Sequence, residues 1–115
     1  MDNASLEKVL EKIFSSHYFA AEIDKELLKY LIDAHTKAKV LKEVDIAQEF
    51  FKRDKDFNPL DSSIVRTHMY SLRKKLETYY LSEGMDDKIR LFIPKGHYKI
   101  EFLNTQDPPI QKTNK

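Results

Sequence analysis

Cysteine is absent from the chain, which removes disulfides, thiol nucleophiles and most structural zinc sites together and agrees with a reducing compartment. Glycine is nearly absent too. With only Gly84 and Gly96 available, no glycine-rich phosphate loop can be built. No apolar run approaches the roughly 18 to 20 residues that span a bilayer, and the amino terminus lacks the basic, apolar, small-residue order of a signal peptide. These absences lead to the expectation of a cytoplasmic protein with no membrane partner. His17, His35, His68 and His97 are scattered, with no helical pair at zinc spacing. Asp54, Asp56, Asp61, Asp86 and Asp87 lack the ordered spacing of a calcium loop and read as turn and cap residues. Catalysis, a metal, a cofactor and a small-molecule substrate are therefore all unexpected.

What is present is enough for one packed domain. The 115 residues are 41% hydrophobic and 34% charged, a mixture that supports a single core under a solvated surface. The net charge of +1 is unevenly spread. Residues 1–61 hold ten Lys/Arg against thirteen Asp/Glu, net −3, and residues 62–115 hold ten against six, net +4. The positive half contains two acid-free stretches. One runs from Ser62 to Leu76 with Arg66, Arg73, Lys74 and Lys75; the other runs from Lys88 to Ile100 with Lys88, Arg90, Lys95 and Lys99. Clustered cations of this kind are the footprint of a phosphate-binding surface.

Hydrophobic spacing predicts four helices followed by a hairpin. Leu6, Val9, Leu10, Ile13 and Phe14 mark a helix from about Ser5 to Phe14, ended at Ser15-Ser16, and Ile23, Leu27, Tyr30, Leu31 and Ala34 mark a second. Leu41, Val44, Ile46, Ala47, Phe50 and Phe51 describe a shorter third helix, and Arg53 to Ser63 reads as a connecting loop. A long fourth helix spans 62–83, with Asp61 or Ser62 as its cap and Gly84 ending it in a left-handed conformation. The period then becomes alternating. Ile89, Leu91 and Ile93 share one strand face and Tyr98, Ile100 and Phe102 another, joined by a tight turn at Pro94-Lys95-Gly96-His97. The polar residues from Asn104 onward, with Pro108-Pro109, read as a frayed tail or linker over 104–115, leaving the domain at 1–103. The expected fold class is mainly α with a C-terminal β-hairpin: a winged helix-turn-helix of three to four helices plus a wing.

At about 100° per residue, Val65, Met69, Leu72, Leu76 and Tyr79 fall on one side of the fourth helix. Arg66, Thr67, Tyr70, Arg73, Lys74 and Glu77 then point largely outward, and Arg66, Thr67, Tyr70, Ser71, Arg73 and Lys74 are the candidate contact residues. A B-DNA major groove admits one α-helix, where Arg and Lys reach guanine edges or phosphates and hydroxyls add further contacts. His68 lies near the buried side and reads as a packed or boundary histidine rather than a base or ligand. Such a face is also what any solvated helix shows. The order of short helix, loop, long basic helix and basic hairpin favours DNA docking, with Lys95, His97 and Lys99 on the wing at a backbone or minor groove.

Val65, His68, Met69, Leu72, Arg73, Lys75, Leu76 and Glu77 resemble the recognition-helix signature of OmpR/PhoB-type winged-helix effector domains. A closer likeness runs from about Ser16 to Phe102. Leu41-Lys42-Glu43 with Ile46-Ala47, Phe51 with Arg53-Asp54 and Asp56-Phe57, Ile64-Val65-Arg66, Leu72-Arg73, Tyr79-Tyr80, and Ile93-Pro94-Lys95-Gly96 with Tyr98 are similar to a bacterial variant of that domain. That variant typically begins regulators whose later parts are adenylate-cyclase or tetratricopeptide modules. The resemblance implies a transcription regulator that lays the helix over 62–83 in the major groove and the wing over 88–102 on the DNA, and it allows homodimers on repeated half-sites. Two departures stand out. The amino-terminal sheet of ordinary members has no counterpart, because Leu6 to Ala34 reads as helix, and no phosphoacceptor receiver domain is visible. Tyr70 and Ser71 stand where the closer variant often has arginine. The competing reading is a winged-helix module that binds another protein rather than DNA, since fold does not fix function.

Overall fold

The structure, a computed structural model, describes residues 3–60 and 62–105. Its elements are α1 (Asn3–Ser15), α2 (Glu22–Thr36), α3 (Glu43–Glu49), α4 (Ile64–Leu81), β1 (Ile89–Phe92) and β2 (Glu101–Asn104), with a single 3₁₀ turn at His17–Phe19 between α1 and α2. The expected fold class therefore holds: a mainly helical chain closed by an antiparallel two-stranded hairpin, in a winged-helix-like layout. None of its described helices is long and apolar enough to cross a membrane.

The helices end where local chemistry stops them. α1 breaks at the expected serines, where the buried Ser16 hydroxyl and amide both donate to the Ile13 carbonyl. α2 ends at Ala38, whose φ of 55° lies in the left-handed region while Lys39 N–H bonds back to the Ala34 carbonyl at 2.8 Å. This closure usually takes glycine. α3 is shorter than its apolar pattern, which ran from Leu41 to Phe51. Its start is set by the Asp45 carboxylate accepting the Lys42 amide at 2.8 Å, and Lys52 just beyond its end also has positive φ. At the start of α4, Ser62 Oγ accepts the Ile64 amide at 3.3 Å; Asp61, the other expected cap, lies outside the described residues.

The predicted helical phase of α4 is correct. Val65, Met69, Leu72, Leu76 and Tyr79 are buried, joined by Tyr80, and they pack on Ile13, Phe19, Leu27, Leu31, Ile46, Leu91 and Ile100 in one continuous core. His68 is half-buried with its ring 5.0 Å from that of Phe51. Gly84, however, does not end the helix in a left-handed conformation: Gly96 alone among the described glycines has positive φ. α4 stops at Leu81 and unwinds through turns in which the Tyr79 carbonyl accepts both Ser82 and Gly84 amides. Gly84 is required for space instead, because a Cβ there would come within 2.3 Å of the buried Tyr79 ring.

The hairpin faces are as expected, but its ladder is shorter. Leu91 pairs with Phe102 and Phe92 with Glu101, and there the pairing stops. Ile93 and Ile100 both turn into the core and Pro94 has no amide to donate, so the strands part and leave a wing over 93–100. Its tip is the expected turn: His97 N–H bonds to the Pro94 carbonyl at 3.0 Å across Gly96, whose φ is 82°. At the other end β2 passes the expected boundary at 103. Asn104 pairs with Ile89, and Thr105 donates to the Lys88 carbonyl at 2.7 Å. The rest of the expected tail, residues 106–115, lies outside the described residues.

Candidate nucleic-acid interface

The exposed side of α4 is organised around Tyr70. Its ring is 56% exposed, with the Arg73 guanidinium 5.2 Å and the Lys74 ammonium 5.6 Å from its centre. Cations held over an aromatic face gain electrostatic attraction and lose conformational freedom, so three expected contact residues form one patch. Thr67 is exposed one turn earlier, and Ser71 is half-buried on the flank. Glu77 sits 3.7 Å from Arg73 Nε and 3.6 Å from Lys74 Nζ. The stretch that is acid-free in sequence is thus not acid-free in space.

Arg66, Tyr70 and Arg73 line a cleft of about 270 Å³ whose opposite wall is Ile93, Gly96, His97 and Tyr98 of the wing. Helix and wing therefore meet along one cleft. The remaining wing residues diverge. Lys95 is exposed at the turn and makes no hydrogen bond or ion pair among the described residues. Lys99 pairs with Glu101 at 2.8 Å and holds that carboxyl below its usual range. It lines a different cleft, of about 470 Å³, between the wing and the end of α2 at Ala34, His35 and Lys39. Lys99 is thus not gathered with Arg66, Tyr70 and Arg73.

Three residues that shape this surface, Glu43, Tyr98 and Asp24, were not among the expected contact residues. Glu43, at the first position of α3, accepts from Arg66 Nη1 at 2.8 Å and from the Tyr98 hydroxyl at 3.1 Å. Burial and this hydrogen bond raise the Tyr98 phenol above its ordinary pKa. Arg66 and Tyr98 are 23 and 55 positions from Glu43, so no local pattern links them. The third is Asp24 on α2, buried at 3% exposure, which draws Lys75 inward to an ion pair. Lys75 belongs to the basic run but serves the core, a role that helical phase alone could have suggested.

Compared with family models, curated proteins and solved structures, the chain matches none.

Proposed function

We propose that the chain is a cytoplasmic duplex-DNA-binding domain of a bacterial transcription regulator, with α4 in the major groove and the wing on the backbone or in a minor groove. The observation that carries the reading is the shared cleft: Arg66, Tyr70 and Arg73 of α4 open onto the same side as the wing turn at Gly96 and His97. Lys74 and Lys95 extend that side with exposed charge. A helix wide enough for one groove, next to a basic loop, fits winged-helix docking. The test is fluorescence-anisotropy binding to a random duplex pool at two salt concentrations, followed by selection and sequencing of the bound fraction. With about four cations on phosphates, affinity falls roughly 100-fold between about 50 and 200 mM salt, and one duplex is enriched. No binding at low salt would contradict the proposal.

One observation favours the second reading, a protein-interaction module. Next to the basic cleft, and sharing Arg73 and Ile93 with it, Leu76, Tyr80, Leu81, Phe92 and Leu103 line a mostly apolar groove of about 400 Å³ between α4 and the hairpin. Leu81 is 80%, Phe92 41% and Leu103 47% exposed there. Exposed apolar clusters of this kind mark interaction surfaces. A partner bound in the groove would be held with little dependence on salt, and this reading predicts no binding in the duplex titration.

A further inference from the structure

The two docking elements belong to different parts of the fold: Arg66 stands in the first turn of α4, and Tyr98 stands at the root of the wing. A single carboxylate reaches both. Glu43 Oε2 accepts from Arg66 Nη1 at 2.8 Å, and Glu43 Oε1 accepts from the Tyr98 hydroxyl at 3.1 Å. The same Nη1 donates to the Pro59 carbonyl at 3.2 Å, so one edge of the guanidinium is tied to α3 and to the loop before α4. A guanidinium has five N–H donors. Those on Arg66 Nε and Nη2 have no partner among the described residues, and nearly half of the side chain is exposed.

By charge alone, a carboxylate beside a DNA-facing arginine weakens phosphate binding. Its contribution must then be geometric: a side chain held in its binding orientation loses less freedom when the partner arrives. Resting on the DNA reading above, we propose that Glu43 is the positioning residue of the reading surface. It fixes Arg66 and Tyr98 at one spacing, so that α4 and the wing meet the duplex as a rigid pair. Glu43 also favours the α3 dipole from its first turn, but aspartate would do the same. Aspartate also keeps the charge and falls one methylene short of bridging both partners.

The experiment measures affinity for the random duplex pool and for the duplex enriched from it, alongside the melting temperature. It compares the wild type with Glu43→Asp, Glu43→Gln and Tyr98→Phe. Glu43→Asp is expected to leave random-pool affinity within about twofold while the enriched-to-random ratio falls about tenfold. Glu43→Gln, which removes a negative charge, raises random-pool affinity at low salt while the ratio falls as far; Tyr98→Phe lowers the ratio in the same direction. An unchanged ratio in both Glu43 variants overturns the positioning role and leaves the DNA reading standing. A loss of both affinities in step with a lowered melting temperature also overturns it, since that is what a purely structural residue would produce. A wild type that binds no duplex, or enriches none, overturns the DNA reading and this role together.

Discussion

Lys74 and Lys75 are sequence neighbours with opposite surroundings. Lys74 is half exposed over the Tyr70 ring, whereas Lys75 reaches the buried Asp24. Lys75→Met leaves that carboxylate without its cation. Removing one partner of a fully buried pair costs about 3 to 5 kcal/mol; with Lys75 one-third exposed, we expect about 1 to 3, read as a lowered melting temperature, with DNA affinity kept in the folded fraction. Lys74→Ala should do the reverse. Gly84→Ala forces a methyl against the Tyr79 ring and should cost about 1 to 3 kcal/mol as overpacking; an unchanged denaturation midpoint would contradict that fit. Tyr80 supplies a pH signature. Burial pushes its phenol up to about 12, partly offset by the Leu91 amide donating to its oxygen. The folded state thus keeps a proton that the unfolded chain releases near pH 10, so this stability is present below about pH 10 and lost as pH rises toward 12. A denaturation series over that range checks it. Residue types and helical phase put Arg66 and Lys74 on the exposed face, where they stand, whereas the Arg73 side chain is only 17% exposed. They could not show Glu43 or Asp24 as partners, because those contacts join segments far apart in the chain.

At the scale of elements, period was the informative signal. The 3.6-residue stripe of α4 and the alternation of the hairpin both reflect which side faces the core, and burial is decided residue by residue. Leu72→Ala, at the centre of the stripe and fully buried, should cost about 2 to 5 kcal/mol; an unaltered melting temperature would contradict the packing. Element ends were less legible because they depend on backbone groups rather than side-chain polarity. The left-handed residue that closes α2 is Ala38, which carries none of the usual stop signals. Replacing it with glycine removes a Cβ penalty of roughly 1 to 2 kcal/mol, less the entropy glycine loses on folding, so Ala38→Gly should raise the melting temperature slightly. The ladder also stops early at Phe92. Alternation continues through Ile93 and Ile100, but both leave the sheet for the core, and pattern alone cannot tell a paired strand from an extended one.

For the whole molecule, the uneven charge of the two halves takes on a spatial meaning. Seven described cations of the second half fall into three groups: Lys75 and Arg90 hold the fold, Lys99 holds Glu101, and Arg66, Arg73, Lys74 and Lys95 stand along the side where α4 meets the wing. A net charge of +1 therefore understates the local field that a duplex would meet. The most direct test is the dependence of random-duplex affinity on salt for the wild type and for Lys74→Ala. The account predicts a steep decline in log affinity with log salt, and a slope shallower by about one for Lys74→Ala with weakening of similar size on every sequence. A flat wild-type slope, or a slope unchanged by the substitution, would contradict the docking of α4 on DNA.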